Sequence, residues 1–180
     1  MVYKFKLVSD EVSNFAREIE IDSENTFLQL RNVILDSVGY SKDELDSFFI
    51  CDDDWTPHEE ITLEDMGSDS DQDIWLMDDT PLSELIEDEG QKVVFMFDYE
   101  TERSFFMELK EVIPGRSLVE PFCTLQRGKA PAQELEPEQP EKPAEKGKAA
   151  LKDDLDIDFY GEDSFNDDEL ANFSDDLSLN

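Results

Sequence analysis

An α+β fold, a mixed sheet covered on one face by one main helix, is predicted by three features of the sequence. YKFKLV near the start and SFFMELK near residue 105 alternate apolar and polar residues, TFLQLRNVILDSVGY carries its apolar residues at helical spacing, and the composition changes after Leu125. A period of two marks half-buried strands, and a period near 3.6 marks an amphipathic helix.

Taken in order, Tyr3, Phe5 and Leu7 fall on one side of the first strand and Lys4 and Lys6 on the other. After the polar loop SDEVSN, the run FAREIEI repeats the pattern, with Phe15, Ile19 and Ile21 inward and Glu18 and Glu20 outward. Two strands so close predict a hairpin. In the next segment Phe27, Leu30, Ile34 and Val38 form the helix stripe, with Asn25 as the expected N-cap and Gly39 as the stop. Ser41 followed by Glu44 has capping-box spacing, which predicts a short helical turn at KDELD before the strand FFIC.

From Asp52 to Asp79 the chain reads as irregular loop with strand pieces at ITLED and DIWLM. Pro81 at a first helical position and Gly90 beyond the end bracket a short helix, PLSELIED. The β-rich runs KVVFMFDY and SFFMELKEVI, separated by the polar turn ETER, predict a second hairpin. Strand, strand, helix, strands, short helix, strand, strand is an α+β order that fits a β-grasp-like arrangement. The domain is expected to span residues 1–125. A flexible linker rich in Pro, Glu, Lys and Ala follows at 126–152, and a disordered acidic tail at 153–180.

Charge narrows the function. The chain carries 48 acidic and 15 basic residues, net −33, and 19 acids fall between Lys42 and Lys92 with no Lys or Arg among them. Such a surface repels phosphate backbones and anionic membranes and favours basic partners, so neither direct nucleic-acid binding nor membrane binding is expected. The N-terminus lacks an apolar signal region, and no run is long and apolar enough for a membrane span, so a cytoplasmic protein is expected. Cys51 and Cys123 form no Cys-x-x-Cys pair and read as free thiols.

The segment TFLQLRNVILDSVGYSKDELDSFFI, residues 26–50, resembles the helix-plus-turn block of the plasmid pRiA ORF-three-like family, and FDYETERSFFMEL, residues 97–109, sits where that family has its late hairpin. The resemblance spans residues 3–125. It implies a β-grasp-like α+β domain of unassigned biochemical role, in a family often associated with mobile elements. Many members carry an Asp-Phe-Gly-Asp-Asp-Trp turn followed by histidine. Here Asp98 and Tyr99 match its start, but Glu100 stands for the glycine, Arg103 for the tryptophan and Phe105 for the histidine. Of a Cys-Pro-Pro-Glu-Asp-rich segment near the domain end, only Cys123 is present. No metal or catalytic role is carried over to these positions.

No catalytic constellation stands out. Cys51 and the one histidine, His58, a loop residue by its pattern, lack an orienting Asn or an oxyanion turn, and there is no Gly-rich phosphate loop. DIDFYGEDSFND, residues 156–167, approaches a calcium loop but has Tyr160 and Asp163 at the wrong places and Asp167 in place of a bidentate Glu; residues 69–80 have Ile74 where glycine is required. No cofactor is expected. A non-enzymatic interaction protein, docking a basic partner through an acidic face and an acidic-aromatic tail, is the preferred reading. The alternatives are an enzyme or metal-dependent module with an unrecognised site, and an acidic mimic of nucleic acid. Anchor candidates are Trp55 and Trp75 on the domain and Phe159, Tyr160, Phe165, Leu170, Phe173 and Leu177 on the tail, with Asp167, Asp168 and Glu169 steering the approach.

Overall fold

The computed structural model describes residues 1–65, 67 and 74–135. Its strands are β1 (Val2–Ser9), β2 (Ala16–Asp22), β3 (Ser47–Cys51), β4 (Pro57–Thr62), β5 (Trp75–Leu76), β6 (Lys92–Asp98), β7 (Arg103–Ile113) and β8 (Phe122–Arg127). Helix α1 (Phe27–Val38) follows β2, and the single-turn α2 (Leu82–Leu85) precedes β6. The strands form one open, mixed sheet in the order β5-β4-β3-β6-β7-β1-β2-β8. Every neighbouring pair is antiparallel except β4 and β5, which run parallel.

Alternation along the strands sorts the side chains between two faces. Tyr3, Phe5 and Leu7 of β1, Phe95 and Phe97 of β6 and Phe105, Met107 and Leu109 of β7 are buried in one core with Phe27, Leu30, Ile34 and Leu35 of α1. Aromatic rings meet at close range inside it, Phe48 with Phe95 at 4.7 Å and Phe97 with Phe105 at 4.7 Å between centroids. The opposite face of the sheet carries charge. Lys4 lies opposite Glu20 and Glu111, and Lys6 opposite Glu18 and Glu108.

Several expectations need correction. The N-cap of α1 is Thr26, not Asn25: Thr26 and Gln29 form a reciprocal capping box, while the Asn25 carbonyl accepts from the Leu82 amide. Gly39 does end the helix, at φ 75°. Glu20, expected to face solvent, is buried between Lys4 at 3.9 Å and Arg116 at 3.1 Å. The short helix PLSELIED is cut to Leu82–Leu85 with Pro81 at the N-cap, because the Gln91 side chain donates to the Leu85 carbonyl and accepts from the amides of Glu87 and Asp88. His58 lies in strand β4, not in a loop.

The helical turn expected at KDELD does not form. Residues 41–46 run as an irregular segment whose carbonyls at Lys42 and Glu44 accept from Nη2 of Arg31, at 2.9 and 3.1 Å. The Arg31 Nε donates to both Asp46 oxygens, at 2.6 and 2.8 Å, with both side chains buried. A capping box offers one or two neutral hydrogen bonds. The charged fork of Arg31 satisfies two carbonyls and a buried carboxylate at once, and charge-assisted bonds are the stronger kind.

Strand β8 lies beyond the strands that the sequence pattern predicts. Its residues are almost all exposed and show no apolar alternation, and it is held by its antiparallel ladder with β2. The expected boundary at residue 125 therefore falls inside β8, and Met1–Glu134 form one compact unit. The expected linker beyond residue 135 and the acidic tail lie outside the described residues.

Removing one member of a buried ion pair leaves the other charge unpaired, at a cost of about 3–5 kcal/mol. Asp46→Ala should therefore lower unfolding stability by about 3–5 kcal/mol in a urea titration. A loss within 1 kcal/mol for Asp46→Ala would show that the pair carries little net weight.

Candidate functional site

Two tight turns meet at one end of the sheet. The first joins β3 to β4. The Asp52 amide donates to the Thr56 carbonyl at 2.9 Å, the Trp55 amide donates to the Asp52 carbonyl at 2.9 Å, and the Thr56 amide donates to Oδ1 of Asp54 at 3.2 Å. The hydrogen bonds from Thr56 hold the Asp54 carboxyl below the usual carboxylate range. Trp55 sits at φ 69°, a conformation that a bulky side chain adopts only when its surroundings stabilise it. Here the indole lies edge-on to Phe106 at 5.2 Å between centroids, and the Lys92 ammonium stands 5.2 Å from its ring. Those contacts offset the strain and set the turn's direction.

The second turn joins α2 to β6. Gly90, at φ 91°, donates its amide to the Leu109 carbonyl at 2.7 Å, and Glu89 accepts from the Val112 amide at 2.7 Å. Gln91 occupies the amides of Glu87 and Asp88, and Asp88 itself is exposed.

Between the turns lies an open cleft of about 660 Å³, lined by Asp52, Asp53, Asp54, Asp88 and Glu89 together with Cys51 and His58. Its lining among the described residues contains no Lys or Arg. Nε2 of His58 approaches Oδ1 of Asp52 at 3.3 Å. The Cys51 thiol donates to the Phe49 carbonyl at 3.6 Å, and burial pushes its pKa up, so at neutral pH it is a thiol rather than a thiolate. Both cysteines are free, Cys51 buried and Cys123 half-buried. No group of three or more His, Cys, Asp or Glu among the described residues is placed to hold a metal ion.

The sequence-predicted anchors divide. Trp55 borders the cleft's first turn with its ring packed on the sheet. Trp75 is half-buried on edge strand β5, packs against the core and donates Nε1–H to Glu59 at 2.7 Å. Phe159, Tyr160, Phe165, Asp167, Asp168, Glu169, Leu170, Phe173 and Leu177 lie outside the described residues, as do residues 156–167 and, from the other calcium-like segment, residues 69–73. The count of acids between Lys42 and Lys92 signalled an acidic surface, but not that Asp52–Asp54 and Asp88–Glu89 would converge.

The late hairpin's turn is internally satisfied. Asp98 accepts from the amides of Glu100 and Thr101, from the Thr101 hydroxyl at 2.6 Å and from Arg103 at 3.4 Å. Despite partial burial, these donors hold its carboxyl low. Phe105, where the related turn carries histidine, stacks on Phe15 at 5.2 Å and on Tyr40 at 5.8 Å.

Residues 1–125 hold 32 acids and 9 bases, net −23, which makes self-repulsion the leading long-range term. Moderate NaCl should therefore raise the melting temperature of the protein. A steady fall with added salt would show that attractive pairs dominate.

No curated protein matches the chain. Among solved structures it is similar to a protein of unknown function, MM3350 from Methanosarcina mazei Go1, at 19% identity and a TM-score of 0.55, over 69% of this chain and 68% of that one. At that identity the likeness speaks to fold. The sequence profile of the plasmid pRiA4b ORF-3-like proteins matches residues 2–139. The chain belongs to the plasmid pRiA4b ORF-3-like family.

Proposed function

We propose that this protein is a non-enzymatic interaction module that receives a basic segment of a partner protein in the cleft between the β3–β4 turn and the α2–β6 loop. The observation that carries the reading is the convergence of Asp52, Asp53, Asp54, Asp88 and Glu89 on one open cleft. Several of the domain's bases are engaged by other groups. Arg17, Arg31 and Arg103 are buried, Lys92 pairs with Glu108 at 3.6 Å, and Lys4 with Glu111 at 3.4 Å. An uncompensated acidic concavity attracts cations over a Debye length and speeds encounter with a basic chain. The acidic-aromatic tail at 153–180 belongs to the same proposal as a second docking element, as do a cytoplasmic setting and the association with mobile elements that the family resemblance implies. We further read the layout as β-grasp-like, supported by a hairpin, β1–β2, that leads into α1 before the chain returns to the sheet at β3.

The test titrates the full-length chain with a Lys/Arg-rich peptide and with a matched peptide in which Gln replaces the bases. The basic peptide should bind, weaken as NaCl rises, and perturb the backbone resonances of residues 52–54 and 88–89. Asp53→Asn with Asp88→Asn should lower the affinity about three- to tenfold, as expected for partly exposed ion pairs. Equal binding by the double variant, or affinity indifferent to salt, would contradict the proposal.

A further inference from the structure

Beyond β8 the chain crosses the end of α1 in a manner that resembles a bound peptide. Arg17, buried beneath the crossing, donates Nη1 to the carbonyls of Arg127 and Gly128 at 3.0 and 3.1 Å, and its Nε to the Ser37 carbonyl at the C-terminal turn of α1 at 3.1 Å. The Tyr40 hydroxyl donates to the Pro131 carbonyl at 2.5 Å. Arg103 donates to the carbonyls of Ala132 and Gln133, at 2.6 and 3.2 Å, while its Nε and Nη2 clamp Glu11 at 2.8 and 2.9 Å. The Gln133 side-chain carboxamide then accepts through Oε1 from the Ser41 backbone amide at 2.7 Å and donates from Nε2 to the Ser41 carbonyl at 2.9 Å, so that both main-chain groups of Ser41 are satisfied by one side chain.

Most of these contacts read main-chain carbonyls, which any extended segment presents. The side chains that seat here are small: Ala130 packs against the hydrophobic core, and Pro131 holds the segment's φ near its extended value. The receiving side is rigid. Tyr40 stacks with Phe105 and meets Phe97 at 5.2 Å, and Arg103 lies 5.0 Å over the Phe97 ring. Burial pushes the Tyr40 phenol well above its ordinary pKa, so it remains a donor at any physiological pH.

At the segment's far end Glu134 lies against Glu44, and that carboxylate, with smaller contributions from desolvation, a hydrogen bond to Glu134 itself, Asp43 and Asp98, pushes the Glu44 carboxyl up. The segment is held largely through its carbonyls, which any extended chain could present in its place.

We propose that the groove formed by Arg17, Tyr40, Ser41 and Arg103 is a recognition site for an extended small-residue–Pro–small-residue–Gln segment, occupied here in cis by residues 130–133, and that its partner is a protein presenting a segment of that chemistry. The cis segment competes with the partner for the groove. This site is separate from the acidic cleft and stands or falls without it.

Release of the cis segment is read by tryptic cleavage after Lys129, which is exposed. Two release variants of the full-length chain are used. Gly128→Val cannot keep φ 73°, and a Cβ there would meet the Asn14 carbonyl oxygen at 2.6 Å. Gln133→Ala with Ala130→Glu removes the Ser41 pairing and the small packed side chain. At least one should be cleaved more than fivefold faster than wild type with its cooperative unfolding retained. A synthetic Lys-Ala-Pro-Ala-Gln peptide, followed through the Tyr40 ring resonances, should bind that variant at least tenfold more tightly than wild type, and Tyr40→Phe in the released background should weaken binding several-fold. Unchanged cleavage in both variants would overturn the proposal, since the segment would then be a fixed part of the fold. So would a released variant that does not bind the peptide, or that binds an Ala-for-Pro and Ala-for-Gln peptide equally well.

Discussion

The fold depends on how it uses its few arginines. Arg17, Arg31 and Arg103 are each buried, and each directs its guanidinium at main-chain carbonyls outside its own element: Arg31 and Arg103 at irregular segments, Arg17 at the ends of α1 and β8 and at Gly128 just beyond. Arg31 holds Lys42 and Glu44, Arg17 holds Ser37, Arg127 and Gly128, and Arg103 holds Ala132 and Gln133. A buried carbonyl without a donor costs stability, and a planar guanidinium presents five donors in a fixed fork. These side chains serve the irregular segments as ladder bonds serve the strands.

That use of cations shapes the surface. Three of the eleven bases of residues 1–134 are buried and several lysines pair across the sheet's charged face, so the acids of the β3–β4 turn and the α2–β6 loop share their cleft with no Lys or Arg among the described residues. Packing and electrostatics are thus linked: the arginines that complete the core are withdrawn from the cleft, whose lining among the described residues is left without Lys or Arg. The same arginines build the groove in which residues 130–133 lie, so the two candidate surfaces share a cause although they are separate sites.

What was legible in the sequence followed periodicity. β1, β2, β6, β7 and α1 bury the residues that alternation and helical spacing assign to the core, and Gly39 ends α1 as its position implied. What escaped was non-local. β8 has no apolar stripe because it is an exposed edge held by its ladder to β2, and the segment after it is captured by residues from β2, α1's exit and β7. The KDELD turn misled because its capping-box spacing is a local signal, whereas the competing partner, Arg31, lies a full helix away in the chain. Glu20 misled for a similar reason: alternation placed it on the outer face, but not beneath Arg116. The acidic cleft was visible as a charge count and invisible as a place.

The claim that guanidinium geometry, rather than positive charge, orders the irregular segments is tested most directly by amide hydrogen exchange in Arg31→Lys and Arg103→Lys, which keep the charge and lose the fork. Exchange should be faster at Asp43 in the first variant and at Ser41 in the second, with the amides of β1, β6 and β7 as protected as in wild type. Unchanged exchange at both sites, or a uniform loss of protection across the sheet, would contradict it.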